Sequence, residues 1–139
     1  HIERLMVIGN FTLLTEIDPL DVNKRFWEMY LDAFERVVTP NVLGMSQFAD
    51  GWKLATKPYV SWANYINKMS DFCKHCFYDP KQKTGERACP FWYLYRNFVN
   101  QNKETFKRWR QSFMVRMVEK QDIASIIKQS KQFIQQYLQ

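Results

Sequence analysis

Residues 90–99 read Pro-Phe-Trp-Tyr-Leu-Tyr-Arg-Asn-Phe-Val. Proline suits the first turn of a helix, where its missing N–H costs nothing. Phe91, Trp92, Leu94, Tyr95, Phe98 and Val99 then predict an aromatic helix. Working outward, Phe106, Trp109, Phe113, Met114 and Met117 predict a helix over roughly 103–119. Asp122 is a good N-cap for a last helix carrying Ile123, Ile126, Ile127, Phe133, Ile134, Tyr137 and Leu138. Toward the N-terminus, Trp62, Tyr65, Ile66 and Met69 predict a helix over 60–70. Residues 40–58 hold Pro40, Asn41, Gly44, Asp50, Gly51 and Pro58 and read as a long irregular segment with at most one short helical turn. Long ordered loops in compact domains are usually functional. Asp18-Pro19 opens a helix with Val22, Phe26, Met29, Tyr30, Ala33, Phe34 and Val37 at helical spacing. That helix is expected to stop before Pro40, which disfavours helical geometry at Thr39. Residues 2–15 are apolar nearly all round and predict a buried helix. No strand pattern, internal repeat or low-complexity tract occurs. The expected class is all-α, with about six helices.

The chain has 139 residues, which fits one domain over 1–139. Hydrophobic residues reach 46%, enough to build a core and to exclude a disordered tail. Aromatics reach 17%, which suggests stacked rings or a flat ligand held between them. Trp27, Trp52, Trp62, Trp92 and Trp109 read as core residues. Only 4 Gly and 5 Pro argue against an all-β sandwich with many tight turns. No stretch is apolar enough to span a membrane. No basic-then-apolar leader opens the chain, so the expected location is cytoplasmic.

The net charge of +6 is uneven. Residues 74–110 hold 9 basic and 3 acidic residues, whereas residues 1–73 hold 7 and 9. A local basic excess suits a polyanion such as DNA, or simply a solvated surface.

Cys73 and Cys76 form C-x2-C, and Cys89 follows directly before Pro90. Three cysteines cannot all pair within the chain. A C-x2-C turn can bring two soft thiolates to one metal, and a third can close over it. Free thiols, a zinc site and an iron–sulfur site all fit this spacing. Both metal readings want a fourth ligand, and the side chain of His75 is expected to point away from the other two. Arg4 and Asp32 lie on the first and second expected helices and could pair across them, although spacing alone favours two unrelated surface residues. With Asn10 and Asn41, such a pair could grip the polar edge of a ring. Glu3 and Glu16 read as ordinary solvated charges. No P-loop, GxGxxG, HExxH or GxSxG motif occurs, so the common nucleotide, zincin and serine-hydrolase readings lack support.

The run from His1 to Phe11, His-Ile-Glu-Arg-Leu-Met-Val-Ile-Gly-Asn-Phe, resembles the flavin-cradling helices of the photolyase/cryptochrome family. The block from Pro40 to Gly51, followed by Ala55-Thr-Lys-Pro-Tyr59, is similar to its iron–sulfur bacterial branch, the prokaryotic (6-4) photolyases and cryptochromes. Cys73-x2-Cys76-Phe-Tyr-Asp-Pro80, Thr84-Gly85 and Cys89-Pro90-Phe91 resemble the cluster loop of that branch. The resemblance covers roughly residues 1–100.

What the resemblance implies goes beyond spacing. It implies the C-terminal portion of an all-α FAD-binding domain with a long cluster-binding loop, 73–89. It implies repair of UV-made (6-4) pyrimidine photoproducts in DNA, driven by light through an electron from reduced FAD. His1 matches the lesion-side histidine that assists proton transfer. Arg4 and Asp32 match an ion pair beside the flavin ring. Asn41 matches a loop residue facing that ring, and Asn10, Gly44 and Met45 are carried over as cofactor neighbours. Cys73, Cys76 and Cys89 match three of four ligands of a 4Fe–4S cluster, and the fourth cysteine is expected upstream, outside this chain. Lys53, Lys57, Lys74, Lys81, Lys83 and Arg87 are candidates for UV-damaged DNA. Arg25 and Phe26 stand where some relatives carry aromatic electron relays, which Arg25 cannot be. The antenna domain and upstream helices of the family are expected elsewhere in a longer chain, and this stretch alone is expected to be inactive. Two other functions fit: a blue-light photoreceptor on the same scaffold, and a zinc-stabilised helical DNA-binding module without flavin.

Overall fold

The computed structural model describes residues 5–30, 34–49, 51 and 59–138. Its regular structure is helical, and the described residues hold no strand beyond an isolated bridge between Asp79 and Ala88. The all-α expectation therefore holds. The chain forms two compact units, His1–Val60 and Ser61–Gln139.

In the first unit a π-helical stretch, Leu5–Gly9, runs into α1, Asn10–Leu14. Then come α2, Pro19–Met29, and α3, Glu35–Thr39. α3 continues directly into a second π-helical stretch, Pro40–Ser46. The start of α2 follows from residue type: the Leu20 amide donates to Asp18 Oδ1 at 2.7 Å, and proline takes the first position. Asp18→Ala leaves that amide without its acceptor, so about 1 kcal/mol of stability is expected to go. Urea unfolding checks this, and an unchanged midpoint would mean that the cap contributes nothing.

Val22, Phe26, Val38 and Val42 form the core of this unit, with Ile17 and Tyr30 packed against it. One helix from Pro19 to Pro40 was expected, and the chain departs from that in two ways. First, α2 ends at Met29, and Tyr30 and Phe34 are extended. Met29 and Phe34, which the periodicity assigns to a buried face, are 67% and 72% exposed. Ala33 lies outside the described residues. Second, Thr39 is helical (φ −57°, ψ −50°) and the helix runs on through Pro40. Residues 40–46 are thus helical, more than the one short helical turn expected within that irregular segment. Val38 and Val42 flank the proline and are both buried, so packing outweighs the local preference. A π-turn is wider than an α-turn, which eases the clash between a proline ring and the carbonyl behind it. The first helix is also less buried than its composition suggests. Ile8 is exposed, whereas Gly9, Asn10 and Leu14 are buried. Trp27, expected in the core, is exposed on α2.

The second unit opens with α4, Ala63–Met69, and a 3₁₀ turn, Phe72–Lys74. After the cysteine loop come α5, Pro90–Gln101, α6, Lys103–Arg108, α7, Ser112–Glu119, and α8, Ile123–Leu138. α5 is the central element and packs against α4, α6, α7 and α8. Its Leu94 and Val99 are fully buried. Ser130, also fully buried, is small enough to let α8 approach α5. Its hydroxyl lies 2.9 Å from the Ile126 carbonyl and 3.2 Å from that of Tyr93. Phe106 meets Phe98 and Trp109 edge-on, with centroids 6.3 and 6.1 Å away. The continuous helix expected over 103–119 is broken at Arg110, whose φ is +57°. The Gln111 amide closes this turn by donating to the Phe106 carbonyl at 2.9 Å. The break folds α6 back on α7, where Lys103 Nζ reaches Glu119 Oε1 at 3.5 Å.

Candidate functional site

The two π-helical stretches pack against each other. π-turns inside helices are frequent at functional sites. Here they carry, or directly adjoin, every described residue assigned to the cofactor: Asn10 at the start of α1, and Asn41, Gly44 and Met45 on 40–46. The stretches meet where Gly9 faces Ser46. A Cβ on Gly9 would collide with Ser46 Oγ and lie 3.2 Å from Ser46 Cβ. Gln47 fastens this contact. Its Nε2 lies 2.8 Å from the Gly9 carbonyl, 3.1 Å from Thr12 Oγ1 and 3.0 Å from Ser46 Oγ. Its own Oε1 is buried without a partner among the described residues, as are Thr39 Oγ1 and Asn23 Oδ1. Buried acceptors are normally satisfied, so such a group suits a donor supplied by a ligand. Asn41 is already used locally, donating from Nδ2 to the Val37 carbonyl at 2.6 Å.

A groove of about 510 Å³ lies in the same unit, lined by Ile8, Thr12, Ile17, Val22, Phe26 and Tyr30 among others. None of the described residues assigned to the cofactor, Asn10, Asn41, Gly44 and Met45, lines it. His1, Arg4, Asp32, Lys53 and Lys57 lie outside the described residues.

The cysteine segment is a loop, as expected, and it is internally bonded. The Asp79 amide donates to the Arg87 carbonyl at 2.8 Å, and Asp79 Oδ1 accepts from the Lys81 amide at 2.8 Å. Gly85 supplies a φ of +94° at the far turn, which an L side chain rarely adopts. Arg87 Nε donates to the Phe77 carbonyl at 3.2 Å, and its guanidinium lies 5.8 Å from the Phe77 ring centroid. Cys89 is buried and caps α5, Cys73 is half-buried and Cys76 is exposed. Burial pushes the Cys89 thiol up to about 11, partly offset by a hydrogen bond from the Phe91 backbone. Charge on Cys73, Cys76 and Asp79 raises it further, and Cys73 is raised by burial and by Cys76. The three thiols therefore sense one another's charge. They do not form a ready coordination set: among the described residues no three His, Cys, Asp or Glu side chains are placed to hold a metal ion. Lys74, Lys81, Lys83 and Arg87 are all exposed on this loop, as is His75.

A third feature had no role in the sequence reading. Arg96, only 2% exposed, lies between Trp92 and Trp62, with its guanidinium carbon 3.8 and 5.1 Å from their ring centroids. Its Nε donates to Gln121 Oε1 at 2.6 Å and its Nη1 to the Trp92 carbonyl at 3.3 Å. No carboxylate among the described residues pairs with it. Burial lowers its pKa to about 10. The one sign available in the sequence was a lone arginine inside an aromatic run.

No family model matches the chain. Over 107 residues, 77% of its length, it is 56% identical to a (6-4) photolyase of Agrobacterium fabrum (strain C58 / ATCC 33970). The chain belongs to the photolyase/cryptochrome family. It spans about a fifth, 21%, of the length of that photolyase. A second relative is uncharacterized protein R855 of Acanthamoeba polyphaga mimivirus, 39% identical over 102 residues, which are 73% of this chain and 76% of the viral one. The all-α architecture agrees with membership of the photolyase/cryptochrome family. No helix among the described residues is long and apolar enough to cross a membrane.

Within this photolyase/cryptochrome chain, Tyr95 offers a test of the α5 core. Burial pushes its phenol up to about 12, with the Arg96 charge opposing. The folded state holds this proton more tightly than the unfolded chain does, whose phenol titrates near 10. Its contribution to stability is therefore complete below about pH 10 and is lost as pH rises toward 12, at up to ~1.4 kcal/mol per pH unit. Tyr95→Phe is expected to flatten the alkaline limb of a stability–pH curve. An identical limb in the variant would show that Tyr95 does not set it.

Proposed function

We propose that this chain is the C-terminal part of the flavin-binding helical domain of a longer (6-4) photolyase, a DNA repair lyase driven by light. The observation that carries the reading is 56% identity over 107 residues to a protein of that activity. Two structural facts support it. Gln47 Oε1 and Thr39 Oγ1 are buried acceptors without partners among the described residues, in the same stretch of chain as the buried apolar Val38, Val42 and Phe48. A flat ring with a polar edge needs such a combination of walls and acceptors. The second support is the donor chemistry of the cysteine loop, which carries three soft thiols, Cys73, Cys76 and Cys89.

FAD, when bound and reduced, supplies the light-driven electron for repair. The protein's part is to bind, orient and exclude water. Asn10, Asn41, Gly44 and Met45 face or flank the ring from the two π-helical segments. Arg4 and Asp32 orient its polar edge. His1 holds a proton on the lesion side. Cys73, Cys76 and Cys89 would contribute three ligands to a 4Fe–4S cluster, with a fourth cysteine from elsewhere in the longer chain. Burial disfavours the Cys89 thiolate, the form in which a cysteine would act as a ligand. Lys53, Lys57, Lys74, Lys81, Lys83 and Arg87 hold phosphates of the damaged DNA. An enzyme acting on damaged bases must also take them out of the stack.

The test is the visible spectrum of the full-length protein purified without oxygen, with iron, sulfide and zinc assayed on the same sample. Flavin bands at roughly 370 and 450 nm over a broad shoulder at roughly 400 nm are expected. Repair of a (6-4) lesion under blue light should follow, and should fail in His1→Ala. A colourless protein carrying zinc would overturn the reading. Flavin and cluster without repair would make it a photoreceptor.

A further inference from the structure

The helical hairpin formed by α6 and α7 has its own electrostatic character. Between Lys103 and Lys120 it carries six cations and two carboxylates. Both carboxylates are engaged: Glu104 with Lys107 at 2.9 Å, and Glu119 with Lys103 at 3.5 Å. Arg108, Arg110, Arg116 and Lys120 are left with no carboxylate in salt-bridge reach among the described residues, and all four are exposed. Arg108 and Arg110 sit at the turn. Arg116 on α7 and Lys120, its C-cap, follow Phe113 by three and seven residues, which puts them along one side of the helix. Phe113 is 64% exposed. Val115 and Val118 bury the opposite face, so Phe113 does not serve the core.

We infer that this outer face of the α6–α7 hairpin binds the phosphate backbone of DNA, as a contact separate from the cysteine loop. The inference rests on the DNA-repair reading above. Four exposed cations without carboxylate partners among the described residues on one short hairpin favour a partner that supplies anions. A nucleic-acid backbone supplies them at regular intervals and releases its own counterions on binding. Three of the four cations are arginines, whose forked guanidinium matches a phosphate better than an ammonium does. Phe113 stands among them as a platform for a sugar or an unstacked base. An anionic membrane would also satisfy the charge. It would call for a broad apolar face, and this face offers one phenylalanine on a helix of eight residues.

The experiment is fluorescence anisotropy of a short labelled undamaged duplex with the full-length protein, at several salt concentrations. The variant combines Arg108→Gln, Arg110→Asn and Arg116→Gln. Asparagine tolerates the left-handed backbone at 110, so the turn is kept. Affinity is expected to fall at least about tenfold, and the slope of log K against log salt to drop by about 2–3. The matching arginine-to-lysine triple should keep most of the slope. Phe113→Ala should weaken binding a few-fold without changing it. If the neutralised hairpin binds like wild type while Lys81→Gln, Lys83→Gln and Arg87→Gln together abolish binding, the inference is overturned and the repair reading stands. If the wild type binds no duplex, both fail, and binding to phosphatidylserine vesicles in that case would assign the face to a membrane.

Discussion

Arg96→Ala is expected to destabilise the chain by about 3 kcal/mol, the largest single effect foreseen here. Three losses add. A desolvated guanidinium against an aromatic face contributes on the order of 2 kcal/mol. A charge-assisted hydrogen bond to Gln121 contributes about 1.5–3 kcal/mol. Truncation also leaves a cavity between Trp62 and Trp92. Against these stands the cost of burying a cation with no carboxylate beside it among the described residues, which the substitution removes. The balance predicts an order among variants. Arg96→Met fills the space without the buried charge and should cost less than alanine. Arg96→Lys keeps the charge, loses the planar stack, and should fall between wild type and alanine. Urea unfolding read by tryptophan fluorescence gives the values, and a cycle with Gln121→Ala isolates the hydrogen bond. An alanine variant within about 0.5 kcal/mol of wild type would show that the sandwich contributes nothing.

The second large effect concerns Gly9→Ala, at about 2 kcal/mol. The new methyl would meet Ser46, which is buried and bonded to Gln47. Neither π-helical stretch can retreat without separating Gln47 from the Gly9 carbonyl and Thr12. The interpretation has a sharp check, because Ser46→Gly removes both atoms that the methyl would strike. The double variant should regain most of the lost stability, although Ser46→Gly alone costs some. A double variant no better than Gly9→Ala would place the damage elsewhere, in the backbone of the Leu5–Gly9 turn.

How much of this was legible in the sequence depended on whether a signal was local. Asp18-Pro19, Cys89-Pro90 and Asp122 each start a helix where their chemistry says they should. The cysteine segment is a loop, as Pro80 and Gly85 require. The errors arose where a tertiary contact outweighed a local rule. Pro40 was read as a stop, yet Val38 and Val42 on either side are drawn into one core with Val22 and Phe26. The turn at Arg110 carries neither glycine nor proline, so nothing local marked it. Arg96 was invisible for another reason. Its setting is assembled from Trp62 on the approach to α4, Trp92 one turn earlier on α5, and Gln121 before α8. Among the site residues, residue type singled out Asn10 and Asn41, and the resemblance alone added Gly44 and Met45. Neither singled out Gln47, the side chain that joins the segments carrying them.

The π-turns set a limit on length variation. Successive α-helical residues are turned by 100°, and a π-turn accommodates one additional residue without ending the helix. In Pro40–Ser46 that residue is what lets the Gln47 amide reach back five positions to the Val42 carbonyl, at 2.7 Å. Deleting any one position there while the turn stays wide would rotate Gln47 and Phe48 by about a quarter-turn relative to the residues before them. The Gln47 side chain would swing away from Gly9 and Thr12. A segment that looks in the sequence like a forgiving loop is thus a fixed-length spacer, in which one deletion would do more harm than most substitutions.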